Sequence, residues 1–191
     1  ADIINHKPAE QFLVGGEESY GYLIGDAVRD KDAVASAVMI AEMAANAKSQ
    51  GRTVLQQLEA IHREFGQYQE RLISITKKGR SGAQEIADMM TALRNDPPKT
   101  LAGSPVVIAI DHNNSTQTDL RTGATSSTAL PSSNVLQFIT EAGDKVSARP
   151  SGTEPKIKFY FSVRATTGDS HAATKAELER KIDTFIEELN L

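Results

Sequence analysis

Apolar residues recur every three or four positions in four segments of the chain, and this spacing predicts four amphipathic helices. The segments are residues 34–45, 55–65, 86–93 and 172–189. Each of the first three is followed by residue types that end helices. These are Gly51, Gly66 and Asp96-Pro97-Pro98.

Polar residues just before two of these segments have the spacing of a capping box, in which two side chains bond to N–H groups at the helix start. Thr53 with Gln56 and Ser81 with Gln84 both fit this pattern. Asp32, or Asp30, is interpreted as the N-cap of the first helix. The pattern therefore predicts the starts of three helices as well as their lengths.

Other segments alternate apolar and polar residues or form short apolar runs, which predicts strands. They lie at 12–14, 68–76, 106–110, 135–140, 145–149 and 156–163. Residues 141–144 are expected to form the hairpin turn between two of them. On the last strand one set of alternating side chains should face the core. These are Ile157, Phe159, Phe161 and Val163.

The order of these elements predicts two units that meet near Gly66. Residues 1–66 provide too little for a complete three-layer α/β domain, so apolar stripes near Val38 and Leu58 should be exposed. Residues 67–191 predict an antiparallel sheet with helices on one face. Its polar stretch from Asp111 to Asn134 is interpreted as a long loop, with Asp119 in a turn.

Composition places the chain among globular proteins. It has 191 residues, 39% of them hydrophobic and 24% charged, and no apolar run long enough to cross a membrane. There is no cysteine, so disulfides and thiolate chemistry are excluded, and a cytoplasmic location is expected. The net charge of −4 argues against a general nucleic-acid partner. The four histidines have no metal-ligand spacing and are interpreted as structural or exposed.

The residues just before the last strand are of types that bind phosphate. Arg149 can donate two parallel N–H bonds to a phosphate, and Ser151 and Thr153 offer hydroxyl donors. Gly152 lets backbone N–H groups approach an anion closely. The same residue types are common in surface turns, so the loop alone is compatible with either interpretation.

Two stretches resemble one enzyme family. RPSGTEPKIKFY, starting at Arg149, resembles the phosphate-binding loop in the last domain of the α-D-phosphohexomutases, the phosphoglucomutase/phosphomannomutase family. GGEESYG, starting at Gly15, is similar to that family's sugar-binding loop. The likeness covers essentially the whole chain. It implies that residues 1–66 are the C-terminal part of the third, sugar-binding α/β domain. Residues 67–191 would be the fourth, phosphate-binding domain, which is TATA-box-binding-protein-like.

The resemblance also implies roles for individual residues. Glu17, Ser19 and Lys31 would bind the sugar of the substrate. Its phosphate would be bound by Arg149, Ser151, Gly152, Thr153 and Lys158. The family interconverts hexose 1-phosphate and hexose 6-phosphate through a bisphosphate intermediate, as an intramolecular phosphotransferase.

Two motifs of the family do not occur in this sequence. One is the nucleophilic serine in a Thr-Ala-Ser-His-Asn-Pro-like loop, and the other is the magnesium-binding Asp-x-Asp-Gly-Asp run. We therefore expect the C-terminal portion of a longer enzyme, with no catalytic residue or metal ligand of its own. The missing N-terminal domains would hold Mg²⁺, hexose 1,6-bisphosphate would serve as activator, and the fragment alone should be inactive.

Two alternative functions stay open at this stage. One is a non-catalytic phosphosugar sensor. The other is an RNA-binding module, since a sheet with helices on one face and Phe159, Tyr160 and Phe161 on a strand fits that class. The acidic net charge and the expected core position of Phe159 and Phe161 argue against RNA.

Overall fold

A computed structural model describes residues 11–17, 20–77, 79–166, 168 and 170–191. The helices are α1 Ala33–Ser49, α2 Val54–Phe65, α3 Gly79–Asn95 and α4 His171–Glu188. The strands are β1 Val14–Gly16, β2 Tyr22–Ile24, β3 Gln67–Thr76, β4 Thr100–Leu101, β5 Ser104–Asp111, β6 Thr116–Asp119, β7 Thr125–Ser127, β8 Leu136–Thr140, β9 Lys145–Pro150 and β10 Lys156–Ala165.

Internal contacts divide the chain into two compact units, Ala1–Ala60 and Ile61–Leu191. The division falls within α2, a few residues before the boundary predicted at Gly66. The assignment of residues 1–66 and 67–191 to two separate domains stays a prediction.

The four predicted helices are confirmed, and so are two of the three predicted starts. Asp32 caps α1 by accepting a hydrogen bond from the Val34 N–H at 2.9 Å. The Thr53 N–H donates to Gln56 Oε1 at 2.8 Å, and the Gln56 N–H donates back to Thr53 Oγ1 at 3.2 Å. The third start is wrong, because α3 already begins at Gly79.

The first unit buries few of its apolar side chains. Its strands β1 and β2 pair as a short antiparallel ribbon, and α1 contacts β2. Val38 is 61% exposed and Leu58 is 44% exposed, which confirms the predicted apolar stripes. Other large apolar side chains exposed in this unit include Leu13, Val14, Val34, Met39, Ile40, Met43 and Leu55. Ribbon and helices alone are too little to cover these faces.

The second unit is built on an antiparallel sheet with the strand order β3-β10-β9-β8-β5-β6-β7, and β4 pairs with the start of β5. One face of the sheet, together with α3 and α4, forms a single hydrophobic core. The predicted core face of β10 is confirmed, since Ile157, Phe159, Phe161 and Val163 are all at most 1% exposed. Because Phe159 and Phe161 lie in this core, they cannot serve as stacking surfaces for RNA bases.

The interpretation of residues 111–134 as one long loop is wrong. β5 extends to Asp111, and the stretch then contains β6 and β7, which continue the sheet as hairpins. Their Thr, Ser and Gln side chains show no apolar face, so the alternation that signals a half-buried strand is absent. Backbone pairing holds these strands instead.

Asp119 has the turn role predicted for it. Its Oδ1 accepts hydrogen bonds from the N–H groups of Arg121 at 2.9 Å and Thr122 at 3.2 Å. The Arg121 guanidinium also bonds to this carboxylate, and these contacts lower the pKa of Asp119 to about 2. The ionised carboxylate thus stabilises the turn between β6 and β7.

A buried ion pair anchors the start of β9, the strand that ends in Pro150. Asp144 is fully buried, with its Oδ2 2.6 Å from Lys181 Nζ on α4. Its Oδ1 accepts a hydrogen bond from the Arg164 N–H on β10 at 3.0 Å. The preceding turn residue Gly143 has a φ of 83°, a conformation that favours glycine. The β8–β9 hairpin predicted around residues 141–144 is therefore confirmed and fixed to both α4 and β10.

Candidate functional site

The loop between β9 and β10 is held at both ends by backbone hydrogen bonds. The Ser151 N–H donates to Lys156 O at 2.7 Å, and the Lys77 N–H donates to Pro155 O at 2.9 Å. Ser151 Oγ accepts from the N–H groups of Glu154 at 3.3 Å and Thr153 at 3.4 Å. Ser151 Oγ thus acts as an acceptor in these contacts, and its O–H group remains available as a donor.

Cationic side chains lie together on the polar face beside this loop. Arg149 on β9 is directly opposite Lys158 on β10. Lys156 lies two residues before Lys158 and therefore on the same face of β10. Directly opposite residues of two antiparallel strands have Cβ atoms about 4.5–5.5 Å apart, where like charges repel. The fold thus places two positive charges side by side next to a loop with two hydroxyl groups.

These side chains line an open depression of about 390 Å³. All five residues predicted to bind phosphate lie around it, which are Arg149, Ser151, Gly152, Thr153 and Lys158. Three further lining residues, Pro150, Glu154 and Lys156, were missed in that prediction. Lys156 could have been predicted from the sequence, because it lies two residues before Lys158 and therefore on the same face of the strand. The structure brings together all members of the predicted phosphate site.

The positive charge of the depression is not neutralised within the described part of the chain. The side chains of Arg149, Lys156 and Lys158 form no ion pair or hydrogen bond with any residue that the structure describes. Glu154 is the one acidic residue among the described lining residues. An anion with two negative charges would relieve the repulsion between Arg149 and Lys158.

Gly152 is not required by the fold itself. Its φ lies outside the left-handed region, and a Cβ added to it would meet nothing within 4 Å. The absence of a side chain therefore matters only to a group that approaches the loop from solvent.

The same loop also lines a second depression, beside α3. Residues 150–155 line it together with Ala83, Ile86, Ala87, Met90 and Asn134, and its volume is about 370 Å³. The loop thus borders two depressions, and its position is set by β9, β10 and the two backbone hydrogen bonds at its ends.

The predicted sugar loop lies in the first unit, and two of its three residues meet there. Lys31 Nζ is 3.4 Å from Glu17 Oε1 and 3.1 Å from Asp30 Oδ1. The hydrogen bonds that the Lys31 ammonium donates to Asp30 and then to Glu17 raise the pKa of Lys31, and those that the Lys31 N–H and ammonium donate to Asp30 lower the pKa of Asp30. Lys31 is therefore a charged ammonium group held between two carboxylates. Ser19, the third predicted residue, lies outside the described residues.

One contact between histidines was not predicted. His62 Nδ1 lies 2.8 Å from His171 Nε2, and the two rings stack with centroids 5.0 Å apart. The sequence places these residues on separate helices and offers no signal for the pairing.

No group of three or more His, Asp or Glu side chains that could hold a metal ion occurs among the residues described by the structure. None of the described helices is long and apolar enough to span a bilayer.

Comparison with known proteins finds relatives over most of this chain. Residues 3–65 match the family model "Phosphoglucomutase/phosphomannomutase, alpha/beta/alpha domain III". A phosphoglucomutase of Staphylococcus epidermidis is 37% identical over 163 residues, 85% of this chain. A probable phosphomannomutase of Haemophilus influenzae is 42% identical over 153 residues, 80% of this chain. The chain is homologous to the phosphoglucomutase/phosphomannomutase family.

The fold is also similar to part of a solved phosphoglucomutase structure. The crystal structure of the open form of parafusin, a phosphoglucomutase from Paramecium, matches 93% of this chain with a TM-score of 0.60 at 18% sequence identity. The chain spans about 30% of the length of the Staphylococcus relative and 28% of the Haemophilus relative. It therefore corresponds to a part of these phosphoglucomutases and phosphomannomutases.

Proposed function

We propose that this chain is the substrate-recognition half of a phosphohexomutase. The enzyme would interconvert hexose 1-phosphate and hexose 6-phosphate through a bisphosphate intermediate. The observation behind this proposal is the unneutralised, like-charged pair Arg149 and Lys158 beside a loop of hydroxyl groups, in a chain homologous to phosphoglucomutases and phosphomannomutases.

Within this half, the two loops would divide the recognition of one substrate. Arg149, Ser151, Gly152, Thr153 and Lys158 would bind the phosphate that does not react. Glu17, Ser19 and Lys31 would bind the sugar hydroxyls, because a carboxylate accepts hydrogen bonds from hydroxyl groups and an ammonium donates to them. We also assign Lys156 to the proposed phosphate site, because it lines the same depression.

The reacting groups would lie outside this chain. A phosphoserine transfers its phosphoryl group to the free hydroxyl of the sugar phosphate, whose proton is removed. The bisphosphate then reorients, and its other phosphoryl group returns to the serine. Because both phosphates must occupy the site around Arg149 in turn, contacts with features shared by the two orientations are favoured.

The proposed magnesium ion would also be held elsewhere in the enzyme. Its carboxylate ligands would belong to the Asp-x-Asp-Gly-Asp run of the family, which does not occur in this sequence. We further propose that the enzyme works in the cytoplasm with hexose 1,6-bisphosphate as its activator.

A titration of this chain with sugar phosphates tests the proposal. Glucose 1-phosphate and mannose 1-phosphate should shift amide NMR signals of residues 149–158, whereas glucose without phosphate should not. In a coupled assay with glucose 1-phosphate and the bisphosphate, the chain alone should give no turnover. Turnover above a blank would contradict the proposal that the reacting groups lie outside this chain. Sugar phosphates that leave the signals of residues 149–158 unchanged would contradict the proposed phosphate site.

A further inference from the structure

The loop that includes Glu17 closes on itself through Gly21. The Glu17 N–H donates to Gly21 O at 2.9 Å, and the Tyr20 N–H donates to Glu17 O at 3.2 Å. Gly21 therefore lies directly across the loop from Glu17. Its own φ is outside the left-handed region, so the backbone conformation at this position does not require glycine.

The side chain of Lys31 passes over Gly21. A Cβ added to Gly21 would lie 2.3 Å from Lys31 Cδ and 2.8 Å from Lys31 Cγ. Carbon atoms that are not bonded prefer separations of about 3.5–4.0 Å, so a methyl group at Gly21 and the observed path of Lys31 exclude each other. The same Cβ would also touch Glu17 Oε2 at 3.5 Å.

The backbone around Lys31 is fixed by hydrogen bonds, so the stem of its side chain starts from a defined position. The neighbouring Asp32 N–H donates to Tyr22 O at 2.9 Å, which fixes this segment to β2. The Lys31 N–H donates to Asp30 Oδ1 at 2.7 Å, and Asp32 caps α1. From this anchored position the four-carbon stem of Lys31 reaches Glu17 by lying against Gly21.

We propose that Gly21 is a positioning residue, whose missing side chain seats the stem of Lys31 so that the ammonium group is held between Glu17 and Asp30. This inference rests on the proposed function, in which Glu17 and Lys31 bind the sugar. Through Lys31, Gly21 sets the orientation of the Glu17 carboxylate as well. Substitution at Gly21 thus alters the sugar site although Gly21 itself need not touch the sugar.

The geometric part of the proposal is tested on this chain with Gly21→Ala. The pKa of Lys31 is raised by its bonds to Asp30 and Glu17, so a displaced Lys31 should titrate closer to an ordinary lysine. The measurement is an NMR pH titration of the Lys31 side chain. Gly168→Ala is the matched control, because a Cβ there meets only Thr174 Oγ1 at 3.8 Å, and it should leave Lys31 unchanged. An unchanged Lys31 titration in Gly21→Ala would overturn the proposal.

A double-mutant cycle in the complete enzyme separates positioning from a general loss of structure. Gly21→Ala should lower kcat/KM roughly tenfold or more in the wild-type background. In a Lys31→Ala background the stem is absent, so adding Gly21→Ala should change kcat/KM by less than about twofold. Equal losses in both backgrounds would contradict action through Lys31. If the complete enzyme had no mutase activity at all, the proposed function would fall, while the Lys31 titration would still decide the role of Gly21.

Discussion

The two candidate loops differ in how their charges are balanced and in what supports them. In the sugar loop one cation, Lys31, lies between two carboxylates within hydrogen-bonding or ion-pairing distance. In the phosphate loop three cations stand around a depression with a single carboxylate, that of Glu154. A site in which the cation is paired with carboxylates suits neutral hydroxyl groups, and a site with unpaired cations suits a phosphate.

The two loops also differ in the secondary structure that holds them in place. The phosphate loop joins β9 and β10, whose other faces are buried in the core of the second unit. The sugar loop joins two strands of three residues each, in a unit that exposes many apolar side chains. The comparison suggests that the phosphate site is rigid because of packing, whereas the sugar site depends on hydrogen bonds and ion pairs within its own loop.

The largest expected effect comes from Arg149→Ala. Removing a charged, two-bond partner of phosphate should lose about 2–4 kcal/mol, so kcat/KM of the complete enzyme should fall roughly 30- to 1000-fold. Arg149→Lys keeps the charge without the paired geometry and should recover only part of the loss. The side chain makes no described hydrogen bond or ion pair, and it faces the like charge of Lys158, so the melting temperature should not fall. Full activity of Arg149→Ala would refute the assignment of the phosphate site.

The next largest expected effect is a difference in amide hydrogen-exchange rate between the two units. Amides in β9 and β10 should exchange on the order of 100-fold more slowly than amides in α1, because the core of the second unit must open to release them. The measurement is amide exchange on the monomeric chain, with sedimentation to establish that it is a monomer. Similar protection of α1 and β10 in such a monomer would contradict the difference in support.

Glu17→Gln should have the smallest effect of the three. The amide keeps one acceptor oxygen but loses its charge, so binding of the sugar hydroxyls should weaken roughly tenfold in kcat/KM. The substitution should also lower the pKa of Lys31, because one of the two carboxylates that raise it is gone. A Glu17→Gln enzyme with normal kcat/KM would remove Glu17 from the proposed sugar site.

Much of the second unit could be predicted because its elements have apolar faces. Alternation placed Phe159 and Phe161 in the core, and the buried side chains Leu178 and Ile182 gave the last helix. The polar strands β6 and β7 could not be predicted in this way, since pairing of their backbones requires no apolar side chain.

Of the two capping boxes predicted from the sequence, only one forms. Thr53 and Gln56 form the expected capping box, but the same pattern at Ser81 and Gln84 lies inside α3, where Gln84 bonds to Asp88 instead. Contacts between distant residues carried no local signal. His62 and His171 are 109 positions apart, and only the folded chain brings them together.

The central claim is that the phosphate site belongs to the loop at Arg149 and is independent of the sugar loop. Calorimetric titration of this chain with inorganic phosphate, at low ionic strength, tests it most directly. Arg149→Ala should weaken phosphate binding at least about tenfold, whereas Glu17→Gln should leave it within about twofold of the unsubstituted chain. If Arg149→Ala bound phosphate normally and Glu17→Gln did not, the two loops would have been assigned the wrong way round.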